Sequence, residues 1–120
     1  MDVDVILKRF DSPDEVREFE LGRFELVQLG GMTIGRASYQ PGWKWSVHVG
    51  AALGQSSCLV EHAGMVVSGC AAAAMDDGRI IEMRAGDIFF IPPVHDICVI
   101  GDEPYVSLHF LGADHYAADA

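Results

Sequence analysis

The chain is cut into short pieces by turn signals. Gly30-Gly31, Pro41-Gly42, Gly64, Gly69, Asp77-Gly78, Ala85-Gly86-Asp87 and the stretch Gly101 to Pro104 recur through nearly its whole length. Between them lie runs rich in Val, Ile, Phe, Met and Ala, too short for most helices and well suited to strands. Strands at this spacing predict an antiparallel sandwich or barrel. The clearest hairpin is AAAAMDDGRIIEM, where Asp77-Gly78 offers a two-residue type I′ turn. Ala71 to Ala74 favours helix by propensity, but the hairpin that follows makes it a strand. One short helix is expected near the start: Ser12 as its cap, Pro13 in its first turn, Glu15 in a capping box, and two turns at most through Val16 and Phe19.

The 120 residues fit one domain over 1–120, large enough for one core and too small for two. Half of them are apolar, yet no apolar run reaches the length needed to span a bilayer. The opening MDVDVILKRF lacks the basic-then-apolar layout of a signal peptide. A cytoplasmic protein without a membrane partner is expected. The net charge of −10 rests on only 8 Lys and Arg, scattered singly apart from Lys8-Arg9, which argues against a nucleic-acid partner. Acidic residues crowd the first quarter, and a solvated face accounts for them.

Cys58, Cys70 and Cys98 are odd in number and widely spaced, so they form neither a CxxC pair nor a disulfide framework. Cys70 and Cys98 are read as small buried apolar residues. Five histidines remain: His48, His62, His95, His109 and His115. Alternate residues of a strand share a face. On that rule His62 lies with Cys58, Val60, Gly64 and Val66, and His95 with Ile97 and Val99. His48 follows Trp43 and Trp45, which would wall off a pocket. An imidazole on an apolar face must find a partner, either a backbone carbonyl or a metal ion. His109 alternates against Val106, Leu108 and Phe110; with that trio in the core, it faces solvent or a partner subunit. His115 lies in the tail and carries no role.

The segment Gly86-Asp87-Ile88-Phe89-Phe90-Ile91-Pro92, followed by His95, resembles the second motif of the cupins. Their first motif has a His-x-His pair, three or four residues, a Glu, six residues and a Gly. His62 and Gly69 keep the last spacing, with His in place of Glu, and His48 represents the pair. Val94 stands where the family favours Gly. The chain is most similar to the short single-domain cupins with a Pro-Gly-Trp-x-Trp-Ser segment, here Pro41 to Ser46, and the likeness covers about 20–112.

The resemblance implies an all-β antiparallel barrel of the double-stranded β-helix (jelly-roll) type. It implies one divalent transition metal (zinc, iron, copper, nickel or manganese) on His48, His62 and His95, with Cys58 as a fourth candidate. Pro92-Pro93 would stiffen the approach to His95. Trp43, Trp45 and Tyr39 are candidate walls of a substrate pocket. The function implied is a metal-dependent oxygenase, isomerase or lyase acting on a small organic molecule in the barrel. The alternative is a non-catalytic metal or small-molecule binding module. Cupins are commonly dimers, and Met65 with Val67, or Ile81 with Met83, are candidate apolar outer faces for a homodimer.

Overall fold

A computed structural model describes residues 4–114 and 116. Among these the strands are β1 (Glu15–Phe19), β2 (Gly22–Leu29), β3 (Met32–Tyr39), β4 (His62–Ser68), β5 (Cys70–Met75), β6 (Ile80–Arg84), β7 (Ile88–Ile91), β8 (His95–Ile100) and β9 (Tyr105–Leu111). Two single-turn helices, α1 (Trp45–His48) and α2 (Gly50–Leu53), interrupt them. The strands form two antiparallel sheets, in the orders β1-β2-β3-β9-β4-β7 and β6-β5-β8. No helix among the described residues is long and apolar enough to cross a membrane.

The expected N-terminal helix is strand β1. A two-turn helix has too little internal hydrogen bonding to stand alone, whereas residues 15–19 gain a full antiparallel ladder against β2, Glu15 opposite Leu26 and Phe19 opposite Gly22. Arg17 and Phe19 turn inward while Val16 and Glu18 face out, a period of two rather than 3.6. The carboxylate of Asp14 accepts the Gln28 N–H at 2.6 Å instead of serving a helix.

The hairpin after Ala71 to Ala74 is present, but its loop has three residues. The Gly78 N–H donates to the Met75 carbonyl at 3.0 Å and the Met75 N–H to Arg79 at 2.8 Å. Gly78 alone takes a positive φ, of 93°, while Asp77 stays on the ordinary side. This is a type I turn closed by a left-handed glycine, not a type I′ turn.

The core lies between the inner faces of the two sheets. Trp43, Phe24, Leu26, Val49 and Val66 are its largest fully buried apolar side chains, and Tyr39 stacks on Trp43 with centroids 3.7 Å apart and planes 6° from parallel. Met83, expected on an outer face, is buried in this core; Ile81 and Val67 are exposed. Cys70 and Cys98 are half-buried rather than buried. On β9 the inward phase is Tyr105, Ser107 and His109, so His109 is buried, contrary to the outward position expected for it, and Phe110 is exposed. Polar side chains hold the inner phase because they satisfy one another: the Ser107 hydroxyl and His109 Nε2 are 2.9 Å apart.

Residues 54–61 carry no helix or strand, yet they are pinned to the start of β8. The Cys58 N–H donates to the His95 carbonyl at 2.7 Å, and the Val94 N–H donates to the Cys58 carbonyl at 2.9 Å. To make that contact Val94 adopts φ +69°. A β-branched residue is a steric outlier in this region, which costs a non-glycine residue about 1–2 kcal/mol. Glycine would remove the strain, at about 0.5–1 kcal/mol of extra unfolded-state entropy. The half-exposed valine side chain loses little packing on removal. Val94→Gly is expected to raise the unfolding free energy by up to about 1 kcal/mol, measured as a higher urea midpoint with an unchanged slope. A lower midpoint would mean that the isopropyl group contributes more than the strained turn costs.

Candidate metal centre

Three side chains converge at the Cys58–His95 junction. One ligand atom each from Cys58, His62 and His95 lies within 4.8 Å of the other two, and all three residues are buried. His62 opens β4, His95 opens β8, and Cys58 reaches them from the pinned segment before β4. The Cys58 Sγ and the His62 Nε2 are 3.6 Å apart.

The hydrogen bonds define how His95 presents itself. Its Nδ1 lies 2.7 Å from the Pro92 carbonyl, which can only accept, so Nδ1 carries the proton. Nε2 is then a bare lone pair, buried and without a partner. A backbone acceptor on one ring nitrogen and a free lone pair on the other is the arrangement of metal-bound histidines. The two prolines thus do more than stiffen the approach: the first supplies the acceptor that sets the ring.

The other sequence candidates fall elsewhere. His48 lies on α1 rather than a strand, half-buried, and its Nδ1 accepts the Lys44 N–H at 3.0 Å. It is outside the convergent group, whose third member is Cys58. The helix forms because Trp45 buries its ring under Gly50, where any β-carbon would strike that ring and the Gln55 carbonyl. Asp96 also serves this helix, accepting the Ser46 N–H at 2.9 Å and its hydroxyl at 2.7 Å. Trp43 and Trp45 are core residues; Tyr39 reaches the interior beside His62. Cys58 was legible in the motif spacing, since a gap of three intervening residues before His62 falls on it and not on His48. His109 had no comparable signal, because its strand alternates apolar and polar residues in the opposite phase to the usual one.

Behind His62 is a small enclosed cavity of about 10 Å³, lined by His62, His109, Ser107, Tyr39, Tyr105 and Tyr116 among others, but not by Cys58 or His95. It admits one water-sized occupant. Tyr116 closes it, its hydroxyl 2.7 Å from that of Tyr39 and its ring 5.0 Å from His62. Arg17 holds the turn that carries Tyr116, donating to the carbonyls of Ala113, Asp114 and Tyr116 at 3.2, 3.1 and 2.6 Å.

Electrostatically the site is neutral. Burial pushes the Cys58 thiol up to about 11. Burial drives His62 down to about 2, with His109 and His95 adding to the fall, and takes His109 to about 4. His95 is also lowered by burial, against a partial rise from the Pro92 carbonyl and Asp96. Below the ordinary value of 6.5 the unfolded chain protonates these rings while the folded chain does not. Stability from this source is therefore complete above pH 6.5 and is lost as pH falls. For the metal-free protein, urea unfolding should show a loss of a few kcal/mol between pH 6.5 and 4.5, from about 1.4 kcal/mol per pH unit for each proton taken up. A flat profile over that window would mean that the rings protonate in the folded state.

No family model and no curated protein matches this sequence. Solved structures do share its architecture. A protein of unknown function from Rhizobium leguminosarum superposes with a TM-score of 0.65 at 16% identity, over 91% of this chain and 97% of that one. Oxalate decarboxylase from Bacillus subtilis gives 0.62 at 23% identity, over 86% of this chain and 29% of that one. A Klebsiella pneumoniae protein with a double-stranded β-helix domain gives 0.56 at 18% identity, over 91% and 85%. Likeness at this level of identity shows the fold alone, and that fold is the antiparallel double-stranded β-helix of the cupins.

Proposed function

We propose that the protein binds one divalent transition metal ion through Cys58, His62 and His95. The observation that carries this is the donor geometry. Metal–sulfur and metal–nitrogen bonds of about 2.3 and 2.0–2.1 Å at a tetrahedral angle put the two donor atoms about 3.6 Å apart. The separation of Cys58 Sγ and His62 Nε2 is 3.6 Å. The bare Nε2 of His95 faces no protein partner. One thiolate with two imidazoles favours zinc, iron or copper and disfavours manganese. With its thiol held at about 11, Cys58 keeps its proton in the metal-free protein, and a binding metal ion would displace that proton to solvent.

The bound ion would supply Lewis acidity or redox chemistry to whatever reaches it. A closed structural site has four protein ligands, and three leave a position open, which supports a second reading: a metal-dependent enzyme acting on a small organic molecule. Oxalate decarboxylase shows that the fold can host such chemistry. The filled interior supports the first reading, a metal-binding module without turnover, because a cavity of about 10 Å³ holds no organic substrate while Tyr116 is in place. The segment Pro41 to Ser46 supports a place among the short single-domain cupins. Exposed Ile80, Ile88 and Phe90, on β6 and the edge strand β7, support a homodimer.

Metal content of the purified protein, measured by mass spectrometry after loading with zinc, iron or copper, is expected near one ion per chain. Cys58→Ser, His62→Ala and His95→Ala should each abolish it, whereas His48→Ala should keep it. Metal retained in the first three variants, or lost with His48, would overturn the site. Turnover of small organic acids that vanishes on chelation would select the enzyme reading over the binding one.

A further inference from the structure

Two buried ring nitrogens border the cavity residues without a protein partner: Nδ1 of His62 and Nδ1 of His109. His62 and His109 are 1% and 6% exposed, and their ring centroids lie 5.2 Å apart at 78°. An unpaired buried polar atom costs roughly 1–3 kcal/mol, and here two of them belong to rings lining one space of about 10 Å³. That volume takes a single water molecule, which needs at least two polar partners to stay.

Each ring can offer the cavity a different role. A His62 Nε2 that serves a metal ion is a bare lone pair, which puts the ring proton on Nδ1. The Ser107 hydroxyl and His109 Nε2 are 2.9 Å apart. With Nε2–H as the donor in that contact, His109 Nδ1 is a lone pair. One ring offers the cavity a donor and the other an acceptor, which is what a single water can bridge.

We propose that this cavity binds one water molecule, which accepts from His62 Nδ1 and donates to His109 Nδ1, making His109 a positioning residue for His62. The chain of donors then runs from His62 through the water and His109 to the Ser107 hydroxyl oxygen. It fixes the His62 tautomer and aims Nε2 at Cys58 and His95. The binding of the water stands on its own; its effect on metal rests on the metal reading above.

The test begins on metal-free wild-type protein. Water-oxygen magnetic relaxation dispersion should count one long-lived internal water that is absent from His109→Phe, which keeps a ring and removes its nitrogens. Nitrogen-15 spectra of the wild-type rings should show protonated Nδ1 on His62 and protonated Nε2 on His109. Zinc affinity in His109→Phe should fall roughly tenfold or more, as for the loss of other groups that orient a ligand. The absence of a long-lived water in the wild type, its persistence in the variant, or the opposite His109 tautomer would overturn the proposal. Should His109→Phe fail to fold, the wild-type tautomers and water count decide. Failure of the wild type to bind zinc would sink the metal reading instead, and the water count would still judge this one.

Discussion

The backbone contact between Cys58 and His95 is the constraint on which the site depends. Residues 54–61 have no ladder of their own, so without the bonds from Cys58 N–H to the His95 carbonyl and from Val94 N–H to the Cys58 carbonyl nothing would hold the sulfur beside the rings. The contact demands a chain reversal directly before β8, and the reversal forces Val94 into the left-handed region. Strain of this kind persists where surrounding structure over-determines it. Here the Pro92 carbonyl bound to His95 Nδ1 and the six-residue pairing of β8 with β5 supply that determination.

Three imidazoles in an apolar interior are tolerable because none is charged. Each buried ring remains neutral, and each has at least one nitrogen near a partner: Cys58 for His62, Pro92 for His95, Ser107 for His109. The aromatic shell completes the packing. Phe24 meets His109 and Tyr116 edge-on at 5.4 and 4.8 Å, geometries that aromatic pairs favour. Gly35 and Gly64 sit opposite His109 on the two neighbouring strands, where a β-carbon at Gly35 would strike Phe24 and one at Gly64 the Leu108 carbonyl.

The architecture was legible because turns are local. Gly30, Gly42, Gly69, Gly78, Gly86 and Gly101 all take the positive φ that marks a chain reversal, and a reader of sequence can see glycine. His62 and His95 were legible because strand alternation placed them on apolar faces. Three features were not. Val16 and Phe19 fit either a helix or a strand until β2 arrives to pair with them. The WSVH turn looks like a strand until Trp45 finds its place beneath Gly50. His109 was assigned to the wrong face because alternation gives two phases and does not say which is inward; a core that buries Ser and His while exposing Phe110 inverts the usual choice. Each miss turns on a partner distant in the chain, which local pattern does not encode.

Tyr116 and the Arg17 clamp give the small cavity behind His62 a kinetic character as well as a geometric one. The phenol seals the interior on one side, and three carbonyl contacts from a single guanidinium hold the seal shut. Whatever occupies that space exchanges with solvent only as fast as this closure gives way. Its residence time is then set by an opening of the fold and not by the strength of its own contacts.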